Sequence, residues 1–118
     1  MLGRVKRAQY GLGAERRLRK RGEFERLLRE GRRRNLSGFT FYLAPRERGP
    51  ARLGILISRK HSERATVRNR IKRCIREAFR LEQSRLGSLD LLVRPPLNAE
   101  PGPALQAQLR DLLGRLDT

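Results

Sequence analysis

Arg68, Lys72, Arg76 and Arg80 recur at intervals of four residues. On a helix turning about 100° per residue, that spacing stacks them into one ridge. Arg70 and Arg73 fall on the other flank. Cations in such a row bind phosphates; they do not move protons. Like charges at i, i+4 destabilise an isolated helix by about 0.2–0.5 kcal/mol per pair. No acid interrupts the cations between 64 and 76, and only Glu77 and Glu82 offset them further along. A solvated charged face is the bland reading of such a helix. The missing acids favour an anionic partner instead.

Other chemistries are poorly supplied. A nuclease acting alone needs an acid–base pair or a metal site. His61 is the only histidine, so a two-histidine mechanism is excluded and His61 reads as a loop residue. The carboxylates are scattered, Glu23 and Glu25 at a helix start being the one close pair. The single cysteine, Cys74, reads as a small apolar residue on the core side of its helix. It can form no internal disulfide, which points to a reducing compartment. No Cys/His cluster suits zinc. No catalytic residue and no protein-held metal are expected.

The elements that must position the cations follow from periodicity. Val67, Ile71, Cys74, Ile75, Ala78 and Phe79 form the apolar stripe of a helix from Ala65 to about Arg85, closed by Gly87. The basic ridge lies directly beside this stripe, where a helix meets a sheet, so it can line a cleft. A shorter helix begins at Arg21-Gly22-Glu23-Phe24, carries Phe24, Leu27 and Leu28 at i, i+3, i+4, and ends at Gly31. Phe39 to Ala44 alternates as a strand with one buried face: Phe39, Phe41 and Leu43 point one way, Thr40 and Tyr42 the other. Tyr42 could then stack on a base or simply pack. Arg52 to Ser58 is a second strand, expected to pair with the first as an antiparallel hairpin. Leu89 to Arg94 is a third, stopped by Pro95-Pro96, with Asp90 expected at an exposed edge. Ala104 to Leu116 is a last helix with Leu105, Leu109, Leu112, Leu113 and Leu116 on one stripe. Residues 1–15 read as a flexible basic arm and 16–118 as the folded domain.

Composition agrees with one small domain and a polyanion partner. The 118 residues carry 29 Lys+Arg against 12 Asp+Glu, a net charge of +17. Leu, Val, Ile and Phe make up 26% of the chain, above the roughly 20% floor of highly charged disordered chains. The charge is +9 over residues 1–34, +1 over 35–51, +8 over 52–85 and −1 over 86–118, so the last quarter is scaffold. Arg outnumbers Lys 25 to 4. Its planar fork suits phosphates, although GC-rich codon usage would give the same bias. The longest apolar run, Leu53 to Ile57, is far short of the ~20 residues that span a bilayer. No signal-like stretch follows Met1, so a cytoplasmic location and no membrane partner are expected.

Arg52-Leu-Gly-Ile-Leu-Ile-Ser58-Arg59-Lys60, then Arg64-Ala65, then Arg68-Asn69-Arg70-Ile71-Lys72-Arg73 with Arg76-Glu77, closely resembles the protein component of bacterial ribonuclease P. An Arg-Asn-Arg-x-Lys-Arg helix after an R-x-G-x-x-x-S-[KR]-K strand is that family's pattern. Leu18 with Phe24 and Gly31, the strand with Tyr42, and the Leu89–Val93 strand agree in order and spacing. The resemblance spans residues 16–116.

It implies an α+β fold, α-β-β-β-α-β-α, with a four-stranded sheet and a left-handed βαβ crossover; the missing strand would lie near Arg33–Leu36. It implies a subunit that binds the catalytic RNA and the 5′ leader of precursor tRNA while the RNA removes the leader. The matching leader-cleft positions are Phe24, Leu28, Tyr42, Arg68, Lys72 and Arg76. Those matching catalytic-RNA contacts are Arg59, Lys60, Arg64, Asn69, Arg70 and Arg73. Some members carry an aromatic where this chain has Leu28, and many have a Gly in the linker that here reads Lys60-His61-Ser62-Glu63-Arg64. Mg2+ is expected at the RNA active site of the holoenzyme and no cofactor is expected on the protein. The implied partners are ribonuclease P RNA and precursor tRNA, with no obligate protein partner. The competing class is a non-catalytic structural or chaperone-like RNA-binding protein of ribosomal type.

Overall fold

A computed structural model describes Arg17, Leu18 and residues 21–116. The expectation for residues 1–15 lies outside the described residues. The elements are α1 (Arg21–Glu30), β1 (Arg32–Leu36), β2 (Phe39–Pro45), β3 (Arg52–Ile55), α2 (Ala65–Leu86), β4 (Leu89–Arg94) and α3 (Pro103–Arg115). Their order is the one implied by the family resemblance.

α1 starts with Glu23 in its first turn and ends with Arg29 in its last, charges that complement the helix dipole. It stops at Gly31, whose N–H donates to the Leu27 carbonyl at 2.8 Å. A Cβ at position 31 would lie 2.5 Å from that oxygen, so only glycine permits this closure. The chain then turns straight into β1. Ser37 and Gly38 both take positive φ, 50° and 85°, as the tight turn between twisted antiparallel strands requires.

The sheet order is β1-β2-β4-β3. β1–β2 and β2–β4 are antiparallel, while β3–β4 is parallel with α2 as the crossover. This corrects the expected hairpin: β2 and β3 do not pair, because β4 lies between them. β4 takes the centre because Leu89, Leu91, Leu92 and Val93 are all buried, and only a central strand can cover apolar side chains on both faces. Asp90 is therefore not at an exposed edge. Arg52 holds it with two hydrogen bonds, Nε to Oδ1 at 2.8 Å and Nη2 to Oδ2 at 2.9 Å. β3 is also shorter than expected, although the Leu56 N–H still donates to the Val93 carbonyl.

The sheet is covered on both faces. α2, with α3 packed along it, buries Ile71, Ile75, Ala78 and Phe79 with the leucines of α3 against Phe39, Phe41, Leu43, Leu53, Leu91 and Val93. The other face carries a smaller core of Leu18, Leu27, Tyr42 and Leu92, with Phe24 and Leu56 at its margin. Thus β2 is buried on both faces, not on one. α1 seals the second.

Candidate nucleic-acid interface

α2 places its two cationic flanks in different surroundings. Lys72 and Arg76 are half-buried, while Asn69, Arg70 and Arg73 are exposed. Lys72 and Arg76 line an open cleft of about 320 Å³ with Phe24, Leu53, Gly54, Ile55, Arg17 and Leu18. One wall is cationic and the other apolar, a combination that suits the phosphates and bases of a single strand.

Two residues that the periodicity did not single out build this cleft. Gly54 is the first. A Cβ there would come within 2.8 Å of Leu92 Cδ1 and 2.9 Å of Phe24 Cζ, so its absence lets α1 seat on the sheet. A glycine inside a strand is the available signal for such a close approach. Arg17 is the second. It forms an isolated bridge with Leu53, next to the Leu18 N–H bonded to the Leu53 carbonyl at 2.8 Å. It thereby adds a third cation to the rim. No periodicity marks so short a contact.

Among the described residues no acid lines the cleft. Burial lowers the Arg76 pKa from its ordinary value, and Arg17 and Arg73 lower it further by repulsion. A guanidinium stays charged at neutral pH, so these costs persist until an anion arrives.

The remaining cleft candidates are placed less uniformly. Tyr42 is only 7% exposed, its ring lying in the small core under α1; its hydroxyl has no protein hydrogen-bond partner among the described residues. Leu28 is 41% exposed on α1. Arg68 turns back from the cleft and donates from Nη1 to the carbonyls of Ser62 at 2.8 Å and Glu63 at 3.1 Å. Arg80, the fourth member of the ridge, is bound by Glu77 through two hydrogen bonds and does not line the cleft.

Arg59, Lys60 and Arg64 are exposed on the loop before α2. His61 gives this glycine-free loop its shape. Its Nδ1 accepts the Ser58 N–H at 3.1 Å, so Nε2 carries the proton toward the Pro95 carbonyl at 2.9 Å. The Ser58 and Ser62 hydroxyls accept the N–H groups of Lys60 and Arg64. The loop is thus pinned to the end of β4. On the far side of α2, Arg70 and Arg73 border a groove beside the start of α3. There Cys74 Sγ accepts the Gly102 N–H at 3.3 Å, and its side chain packs at the core margin as expected. Among the described residues no three of His, Cys, Asp and Glu come together, and no helix is long and apolar enough to cross a membrane.

Fold and site define a class: a small α+β protein that presents two separate cationic surfaces to polyanions. The Ribonuclease P family model matches residues 12–117. A ribonuclease P protein component from Nitrosococcus oceani is 39% identical over 99 residues, covering 82% of this chain and 83% of the relative. One from Azoarcus is 39% identical over 109 residues, covering 89% and 88%. The solved RNase P protein from Thermotoga maritima superposes with a TM-score of 0.73 at 28% identity, covering 86% of this chain and 98% of that one. The Staphylococcus aureus protein gives 0.66 at 30% identity, covering 85% and 90%. The chain belongs to the ribonuclease P protein component family. Its role is that of the protein subunit of the ribonucleoprotein endoribonuclease of tRNA 5′ processing, with ribonuclease P RNA as partner.

Proposed function

We propose that the two flanks of α2 serve two RNAs. The cleft flank, with Lys72 and Arg76 opposite Phe24, takes the 5′ leader of precursor tRNA. Leu28 and the Tyr42 hydroxyl extend the contact, and Arg68 holds the loop that leads into α2. The exposed flank, Asn69, Arg70 and Arg73, docks the catalytic RNA together with Arg59, Lys60 and Arg64. The RNA performs the hydrolysis with its own Mg2+ in a cytoplasmic holoenzyme. The protein lowers the cost of bringing two polyanions together.

The observation that carries this reading is the unneutralised Arg76 in a half-apolar cleft. A leader phosphate would relieve both its desolvation and its repulsion from Arg17 and Arg73. The test is Lys72→Ala in the reconstituted holoenzyme. Precursor tRNA should bind more weakly by about 1.5–3 kcal/mol, the worth of a hydrogen bond to a charged group, with mature tRNA unaffected. Equal losses for both substrates would refute the leader assignment. The log–log salt dependence of precursor binding should also become shallower by about 0.7 per lost single-strand contact.

A further inference from the structure

β1 carries three consecutive arginines that neither RNA surface accounts for. Arg32 and Arg33 are exposed and Arg34 is half-buried. None of the three forms an ion pair or hydrogen bond through its side chain among the described residues. Their neighbours on α1 differ, since Arg26 and Arg29 both reach Glu30. β1 is also an edge of the sheet, opposite the β3 edge that borders the cleft. With side chains alternating along a strand, Arg33 shares a face with Tyr42, its pairing partner, and Arg32 and Arg34 point to the other face. The charge therefore wraps the edge.

The sheet connects this edge to the cleft. The cross-strand row Arg33–Tyr42–Leu92–Gly54 is roofed by α1, whose Leu27 packs with Tyr42 and Leu92. The next row on the same face is open. Asn35, Thr40 and Arg94 lie side by side across β1, β2 and β4, with Asn35 and Arg94 exposed. Thr40 Oγ1 donates to Asn35 Oδ1 at 3.0 Å, which leaves the Asn35 amide protons pointing elsewhere. A polar lane thus runs beside α1 from the β1 edge to β4, and the apolar Leu56, whose N–H donates to the Val93 carbonyl, continues the row toward the cleft side of the sheet. Two strand spacings make it about 10 Å long.

We propose that the β1 arginines bind phosphates of the 5′ leader upstream of the nucleotides held in the cleft. This rests on the leader occupying the cleft. The lane favours the leader over the catalytic RNA because it runs toward the cleft, while Arg70 and Arg73 face the opposite way, toward α3; Lys60, which shares a groove with Arg94, is where the two RNAs would approach each other. Arg32 and Arg34 are spaced about 6.8 Å along the strand, comparable to one phosphate step of an extended chain.

The test compares Arg32→Gln/Arg33→Gln/Arg34→Gln with wild type in the reconstituted holoenzyme. The substrates are precursors with a short leader that only fills the cleft, precursors with a long leader, and mature tRNA. Arg32→Gln/Arg33→Gln, which alters exposed positions alone, is the second variant, and thermal melting checks that both fold. The wild type should bind the long leader more tightly than the short one. The triple variant should lose roughly tenfold on the long leader alone, and its salt dependence on that substrate should be shallower by about 2. No loss on any substrate overturns the proposal. So does an equal loss on all three, or a loss of affinity for the catalytic RNA alone, which would place β1 on that RNA. Lys72→Ala run in parallel separates the two readings. If it weakens precursor and mature tRNA equally, the cleft assignment fails; if it weakens both precursors but not mature tRNA, a negative result with the β1 variants concerns β1 alone.

Discussion

Arg52 and Arg76 are the same residue type, both partly buried, with opposite electrostatics. Arg52 has its pKa raised, first by its hydrogen bond to Asp90 and then by the charges of Asp90 and Glu23. It reaches Glu23 Oε2 at 2.8 Å and so ties α1 to β3 and β4. Arg76 has its pKa lowered, first by burial and then by Arg17 and Arg73. The α2–α3 seam follows Arg52: Glu82, 3% exposed, accepts from Arg110 Nε at 2.8 Å and Arg85 Nη1 at 2.7 Å. Arg52, Arg85 and Arg110, which brace the fold, each have an acid. The cleft cations have none among the described residues. A charge excess of this kind adds nothing to folding, and it is offset only in the complex.

The largest effect should come from removing the unpaired cations. In Lys72→Ala/Arg76→Met the methionine keeps the apolar stem that packs in the cleft. Precursor tRNA affinity should fall by about 3 kcal/mol, roughly a hundredfold. Melting temperature should hold or rise, because a repulsive cluster has been removed. A large loss of stability in this variant would break the contrast with Arg52.

Glu82→Ala should do the reverse. Removing the acid from the seam should destabilise the protein by about 2 kcal/mol in a urea titration, without changing the ratio of precursor to mature tRNA affinity. Its pH dependence sharpens the point. The Glu82 pKa is lowered, first by the hydrogen bond from Arg110. A carboxylate whose pKa is lower folded than unfolded stabilises above its ordinary titration range and loses that contribution as pH falls through the folded value. The gap between wild type and Glu82→Ala should thus be full at neutral pH and close only in acid. A gap that persists at pH values below the carboxylate range would assign the effect to packing.

How much of this was legible in the sequence differs by element. α2 and α3 could be read because their apolar stripes run for three or more turns, and the two flanks of α2 follow from helical geometry alone. β1 could not be read from Arg32-Arg33-Arg34-Asn35-Leu36, which shows no alternation; the Ser37-Gly38 turn ahead of a clear strand was the usable sign. The short connection between β2 and β3 suggests a hairpin, and nothing local reveals that β4, far along the chain, inserts between them. That insertion also turned Asp90 from an expected edge residue into the partner of Arg52. The cleft residues of α2 were visible individually. What was not visible is that Arg68 would spend its guanidinium on loop carbonyls, or that α1 would bury the ring of Tyr42.

That burial leaves Leu28, one helical turn beyond Phe24, as the exposed apolar side chain of α1, and gives the smallest of these effects. With Tyr42 under α1, its ring offers little face for a base, and Phe24 is partly enclosed by Gly54. A planar side chain at position 28 would add a stacking platform. Base stacking on an aromatic ring is worth about 1–3 kcal/mol against alanine, and leucine already supplies part of that contact. Leu28→Phe should therefore tighten precursor tRNA by a few-fold, with mature tRNA and melting temperature unchanged. Leu28→Ser should weaken it to a similar degree. Because this change alters no charge, the salt dependence of binding should stay parallel to wild type. A change in slope would mean that α1 had shifted and moved the cations opposite it, so the apolar and cationic walls of the cleft would not act independently.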